Sequence, residues 1–194
     1  MKQETVNVMI VGVGGQGTLL ASKLMGEVVR AAGRDVKVSE VHGMSQRGGS
    51  VVTYVRYGEK VASPIIELGE ADCIIAFEEM EAARYLPYLK RGGLLIVNTQ
   101  QIDPMPVIIG AAKAPEGILE SLAGQELVLV ARDALATANK AGNAKAVNLA
   151  LMGLYAAKTG FALEQWENAI EKVVPQKFLE LNLKTFRSSY KAER

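Results

Sequence analysis

The sequence contains one cysteine, Cys73, and one histidine, His42. A single thiol excludes an internal disulfide. Iron–sulfur clusters are usually held by four thiolates, so a conventional cluster bound by this chain alone is excluded as well. His42 has no cysteine or second histidine to complete a zinc site. Charge of one sign is also missing: 22 Lys and Arg face 21 Asp and Glu, for a net charge of +1. The basic residues are scattered, with no cationic run, so neither nucleic acid nor an anionic membrane is an expected partner. No apolar segment reaches the ~20 residues of a membrane-spanning helix. The opening MKQETVNVMIVG has no basic start, long apolar stretch or small-residue cleavage site, so no secretory signal is indicated and the expected compartment is the cytoplasm.

What is present is an ordinary core-forming composition, 49% hydrophobic and 22% charged over 194 residues, enough for one domain spanning residues 1–194. Val6–Val11 is a short apolar run that ends in glycines and reads as a buried strand. Thr18 is a possible cap for the next segment, where Leu20, Leu24, Val28 and Ala31 recur at helical spacing before Gly33. Further strands are predicted at Val36–Ser39, Val51–Tyr57, Cys73–Phe77, Leu94–Val97, Val107–Ile109 and Leu127–Val130. A helix is predicted over Glu79–Leu89, with Gly92–Gly93 closing that unit. Strands alternating with helices imply βαβ units in a mostly parallel sheet covered on both faces, an α/β Rossmann-like fold. From about residue 143 to 194 the pattern becomes wholly helical. Val147, Leu151, Leu154 and Tyr155 share one face; Trp166, Ile170 and Val173 share another; Leu179, Leu183, Phe186 and Tyr190 share a third.

Two loops carry the chemistry. Gly12-Val13-Gly14-Gly15-Gln16-Gly17 lies between a predicted strand and a predicted helix, the context in which G-x-G-x-x-G has meaning. Its glycines allow a tight turn, and amides at the helix start can hold an anion. Glu40 follows about 20 residues later, where a ribose-binding carboxylate is expected in a dinucleotide site. Dinucleotide binding and simple close packing of strand, turn and helix both remain open. The second loop, Val41-His42-Gly43-Met44-Ser45-Gln46-Arg47-Gly48-Gly49-Ser50, can present backbone amides and a guanidinium together, which suits a phosphate or carboxylate. It can equally be a glycine-rich turn with Arg47 in solvent. His42 lacks a nucleophilic partner and reads as a structural histidine. Cys73 reads as a small core residue, and Glu78, Glu79 and Glu81 as the acidic first turn of a helix.

Taken together, Gly14-Gly15-Gln16-Gly17 and His42-Gly43-Met44-Ser45-Gln46-Arg47-Gly48-Gly49-Ser50-Val51 resemble the gamma-type domain of 2-oxoacid:ferredoxin oxidoreductases. The extended second motif is similar to the beta subunit of the indolepyruvate type. Ser63-Pro64, Ala71-Asp72 and the segment from Gly142-Asn143 to Gly153 fit the same pattern, which covers essentially the whole chain. The resemblance implies a Rossmann-like domain without nicotinamide, serving a complex that oxidatively decarboxylates a 2-oxoacid to an acyl-CoA and reduces ferredoxin. Thiamine diphosphate and [4Fe–4S] clusters are then expected on a large partner chain, with no cofactor on this one and no activity from it alone. The absence of a cysteine set and of a Gly-Asp-Gly thiamine-diphosphate signature agrees. The CoA-facing role implied for the domain falls here on Gly14, Gly15, Gln16, Gly17, Ser45, Gln46, Arg47, Gly48 and Gly49. A free-standing NAD(P)-dependent enzyme using Gly12, Gly14, Gly17 and Glu40, or a nucleotide-sensing regulatory module, is the competing expectation.

Overall fold

The computed structural model describes residues 5–42 and 49–194. The chain forms β1 (Val6–Val13), α1 (Thr18–Ala31), β2 (Asp35–His42), β3 (Ser50–Gly58) and β4 (Ala71–Ala76), then α2 (Glu79–Tyr85) and β5 (Leu89–Asn98). It continues through α3 (Met105–Ile108), α4 (Ile118–Ala123), β6 (Val128–Arg132) and α5 (Ala134–Ala141) to α6 (Val147–Lys158), α7 (Leu163–Val173) and α8 (Gln176–Glu193). The six-stranded sheet has the order β2-β3-β1-β4-β5-β6. β1, β4, β5 and β6 pair in parallel, while β3 is antiparallel to both β1 and β2. Every strand except β3 therefore points the same way, so the mostly parallel sheet expected from the sequence is present. The strand predicted at Val51–Tyr57 is present as β3, but its antiparallel insertion between β1 and β2 was not foreseen.

Alternation along the strands builds two cores, because successive side chains leave a strand on opposite faces. Val8, Ile10, Cys73, Ile75 and Ile96 pack under α1, α6, α7 and α8. Met9, Val11, Ile74, Ala76, Leu95 and Val97 pack under α2 and α4 with Ala82, Ile118 and Leu122. Cys73 is a buried core residue, as its setting in the sequence indicated. The helical C-terminal part forms as expected. Fully buried Trp166 of α7 meets Tyr155 of α6 and Phe161 edge-on, with centroids 6.0 Å and 6.3 Å away. Its indole N–H has no hydrogen-bond partner among the described residues.

Several local expectations change. Val107–Ile109 is not a strand: Met105–Ile108 is a short helix with Pro106 in its first turn, where a missing amide proton costs nothing. An unalternating apolar run cannot distinguish the two states. Thr18 does not cap α1; the cap position is Gly17, and Thr18 is the first helical residue. The helix after β4 ends at Tyr85, followed by a 3-10 turn through Pro87. Gly92 and Gly93 lie inside β5, because that strand extends back to pair Leu89 with Ala71. No helix among the described residues is long and apolar enough to cross a membrane.

Candidate functional site

Parallel strands bring their carboxyl ends to one edge of the sheet. The glycine turn after β1, the Phe77–Glu78 step after β4 and the end of β5 at Asn98 share that edge. A cavity of about 410 Å³ opens there, lined by Gly14, Gly15, Gly17, Thr18, Leu19, Glu40, His42 and Val51. One wall is the turn and the start of α1; the other is the end of the β2–β3 pair. The walls are joined directly, since the Gly14 amide donates to the Gly49 carbonyl at 2.9 Å.

Gly17 adopts φ +91°, a left-handed conformation that glycine reaches without strain. A Cβ there would lie 2.7 Å from the Asn148 side-chain nitrogen on α6. The amides of Gly15, Gly17, Thr18 and Leu19 have no acceptor among the described residues. They add to the partial positive charge at the start of α1, an arrangement suited to an anionic group.

Gln16 has a different task. Its Oε1 accepts from the Val13 amide at 2.8 Å, and its Nε2 donates to the Phe77 carbonyl at 3.4 Å. The side chain bridges the ends of β1 and β4 and is committed to the framework. The same Phe77 carbonyl accepts from Asn98 Nδ2 at 3.0 Å, while Asn98 Oδ1 accepts from the Ala134 amide at 3.0 Å. Asn98, fully buried, thus ties β4 and β5 to the start of α5.

Glu40 also differs from the dinucleotide pattern. It sits on β2, separated from β1 by the inserted β3, and its carboxylate accepts from Thr53 Oγ1 on that strand at 3.2 Å. His42, expected to be structural, is instead exposed at the cavity on the last residue of β2. Of the remaining expected site residues, Gly14, Gly15 and Gly17 line the cavity and Gly49 is bonded to Gly14, whereas Ser45, Gln46, Arg47 and Gly48 lie outside the described residues. The described chain stops at His42, which lines the cavity, and resumes at Gly49.

Sequence reasoning missed a buried polar cluster beside the site. Ser50 Oγ donates to Glu81 Oε2 and lies 3.3 Å from the Tyr85 hydroxyl, and Arg84 Nε donates to Glu81 Oε1 at 2.8 Å. Glu78, buried at the cap of α2, accepts from the amides of Met80 and Glu81. Burial pushes its carboxyl above the usual range, against the pull of those two amides. Glu79 and Glu81 stand in the first turn of α2, as their sequence positions suggested. The contact from Ser50 to Glu81, across 31 residues, joins this cluster to the cavity wall. The other matching motif positions are structural: Arg56 donates to the carbonyls of Ser63 and Ile65, and Asp72 accepts from the Asn7 amide and Lys90. No cluster of potential metal ligands occurs among the described residues.

Residues 7–192 match the family described as pyruvate ferredoxin/flavodoxin oxidoreductase. The chain is 42% identical to the indolepyruvate oxidoreductase subunit IorB of Thermococcus kodakarensis, covering 96% of this chain and 95% of that one. Its structure is similar to the keto/oxoacid ferredoxin oxidoreductase gamma subunit of Geobacter sulfurreducens, with a TM-score of 0.74, 25% identity and coverage of 97% and 98%. It is also similar in fold to part of a 2-oxoglutarate:ferredoxin oxidoreductase chain from Magnetococcus marinus, with a TM-score of 0.73 and 15% identity. That match covers 99% of this chain and 32% of the other.

Proposed function

Because the chain belongs to the pyruvate ferredoxin/flavodoxin oxidoreductase family and is a subunit of a 2-oxoacid:ferredoxin oxidoreductase, we propose that it is the small subunit of an indolepyruvate-type enzyme. The reaction is 2-oxoacid plus CoA plus two oxidised ferredoxins giving acyl-CoA, CO2, two reduced ferredoxins and a proton. The observation that carries the reading is the 42% identity to an indolepyruvate oxidoreductase subunit across nearly the full length of both chains. The family's enzymes use thiamine diphosphate and iron–sulfur clusters, and this chain does not fit as the holder of a cluster: its one thiol is buried, and among the described residues no group of potential metal ligands occurs. We place both groups on a large partner chain, through which ferredoxin is also reached.

The role left for this chain, as one domain over residues 1–194, is to present an anion-binding surface to the joint active region. The glycine turn and the start of α1 supply backbone amides for a phosphate of CoA, with Gly14, Gly15, Gly17 and Gly49 shaping the approach. Ser45, Gln46, Arg47 and Gly48 complete this reading as the segment between His42 and Gly49, with Arg47 as the charged contact. Gln16 serves by holding the turn, through Val13 and Phe77, and not by touching the ligand. Nothing favours a free-standing dinucleotide enzyme, since Glu40 stands one strand away from the neighbour of β1 and is bonded to Thr53.

The test is co-expression with the candidate large chain, followed by purification and reduction of ferredoxin or a viologen dye with indolepyruvate and CoA. A stoichiometric complex with CoA-dependent reduction is expected, and the isolated small chain should be inactive. A chain that never assembles but binds NADH with a low-micromolar dissociation constant, about −8 kcal/mol, would overturn the reading.

A further inference from the structure

We propose that Asn148, in the first turn of α6, is a binding residue of the glycine-turn cavity, its side-chain amide donating to a phosphate group seated at the start of α1. The inference deepens the functional reading above. It rests on that reading for the molecule that carries the phosphate, and on the geometry of this chain for the anion.

Asn148 is buried, 3% exposed. Its Oδ1 accepts from the Leu149 amide at 2.9 Å, which fixes how the side chain is turned: reversed, two N–H groups would face each other. Nδ2 is therefore directed the other way, against Gly17, 2.7 Å from where a Cβ of that residue would lie. The bond from Leu149 is the only hydrogen bond of this side chain among the described residues, so Nδ2 has no acceptor there. A buried donor left unpaired destabilises a fold, so one kept in that state calls for an acceptor that arrives from outside. Capping does not by itself call for asparagine, because an aspartate accepts the same amide and suits the positive start of a helix equally well or better. Asparagine adds a second donor and keeps negative charge away from Gly17.

The surroundings argue for the occupant. α1 begins without a side-chain cap, and neither α1 nor α6 has an acidic residue in its first turn. Elsewhere on the same edge, Glu78 accepts the amides at the start of α2 and Asp133 accepts the Ala136 amide of α5. The positive ends of α1 and α6 thus meet at Gly17 without a carboxylate of their own. Nδ2 of Asn148 adds a side-chain donor to the open amides of Gly15, Gly17, Thr18 and Leu19. A phosphate carries several oxygens around one centre and accepts from many directions at once, which matches donors coming from two separate elements. Glu40 lines the opposite wall, where its carboxylate accepts from Thr53. The cavity, about 410 Å³, holds more than a free ion, so the phosphate is one end of a larger ligand.

The experiment titrates the full chain with pyrophosphate by calorimetry at constant ionic strength, comparing wild type with Asn148→Ala, Asn148→Asp and Asn182→Ala. Wild type should bind one pyrophosphate per chain. Asn148→Ala should weaken binding about tenfold or more. Asn148→Asp should weaken it further, since it keeps the acceptor for Leu149 but sets a carboxylate against the anion. Asn182 on α8 is also buried, but its Nδ2 donates to the Phe178 carbonyl at 2.8 Å. Asn182→Ala should therefore lower the melting temperature and leave pyrophosphate affinity unchanged. Should Asn148→Ala fold poorly, Asn148→Ser keeps a short acceptor near Leu149 and asks the same question. If the Asn148 variants lose stability but keep wild-type affinity, the residue is structural and this inference is wrong. It is equally wrong if wild type binds no pyrophosphate. Competition with CoA separates the two readings: pyrophosphate bound through Asn148 that CoA fails to displace would overturn the functional reading and leave this inference standing.

Discussion

Gly153 is the position where one methyl group should do most harm. It lies on α6 where α8 crosses, and a Cβ built on it would run into the Phe186 carbonyl oxygen. It would also lie 2.9 Å from Ser189 Cβ and 3.1 Å from the Tyr190 amide nitrogen. Two of these neighbours are backbone atoms of a helix, so relief requires α8 to move bodily away from α6. Phe186 and Trp166, both fully buried, pack at that contact and would lose it. Overpacking of this kind costs about 1–3 kcal/mol and occasionally more, and the rigid obstacles here argue for the upper end, against a helix-propensity gain of about 1 kcal/mol for Ala over Gly. Gly26→Ala in α1 supplies the control, because a Cβ there meets nothing within 4 Å. It should gain the propensity term alone. At roughly 2–4 °C per kcal/mol for a chain of this size, Gly153→Ala should lower the melting temperature by about 3–8 °C and Gly26→Ala should raise it by about 2–4 °C. Urea unfolding followed by the fluorescence of the single tryptophan, Trp166, together with far-UV circular dichroism, measures both. A Gly153→Ala protein as stable as wild type, or more so, would refute the close-crossing argument.

Cys73 should resist thiol reagents in the native protein and react once it is unfolded, because burial holds its thiol far above the ordinary range; native reactivity within minutes would contradict the packing. Ser50→Ala and Glu81→Gln should each cost about 1–2 kcal/mol. Their double-mutant cycle in urea should show coupling of about 0.5 kcal/mol or more, and strict additivity would break the bond drawn between them. Glu78 has a carboxyl raised by burial, so the unfolded state gives up its proton first as pH rises. That group therefore costs stability progressively between the usual carboxylate range and its raised folded value, and the cost is absent at lower pH. Glu78→Gln should compare better with wild type at pH 7 than at pH 4, as read from denaturation at both. In the assembled enzyme, Arg47→Ala should raise the Michaelis constant for CoA about tenfold to a hundredfold, the loss of a charge-assisted contact worth roughly 1.5–3 kcal/mol. Arg47→Lys should recover only part, since it lacks the planar fork; an intact complex with unchanged CoA kinetics would remove Arg47 from the site.

The apolar runs Val6–Val11 and Cys73–Phe77, the turn at Gly14–Gly17 and the helical faces after residue 143 were legible from the chain alone. Each reflects a preference set within a few neighbouring residues: a short unbroken apolar run for a buried strand, the period of 3.6 in a helix, or the backbone freedom of glycine. The order and composition of the two glycine-rich motifs likewise carried the family. Other features depended on residues far apart in sequence. Nothing near β3 says that it enters antiparallel between β1 and β2, yet that insertion moves Glu40 away from a dinucleotide geometry. Gln16 looks like a ligand contact until Phe77 arrives from β4 to accept its amide, and Ser50 looks like turn chemistry until α2 brings Glu81 against it. The apolar run at residues 105–109 formed a helix instead of a strand because prolines stand at its start and no neighbouring strand pairs with it. Local pattern determined which elements could form; which polar groups were occupied, and which were left to face a ligand or a partner, was decided only when the sheet brought distant segments to one edge.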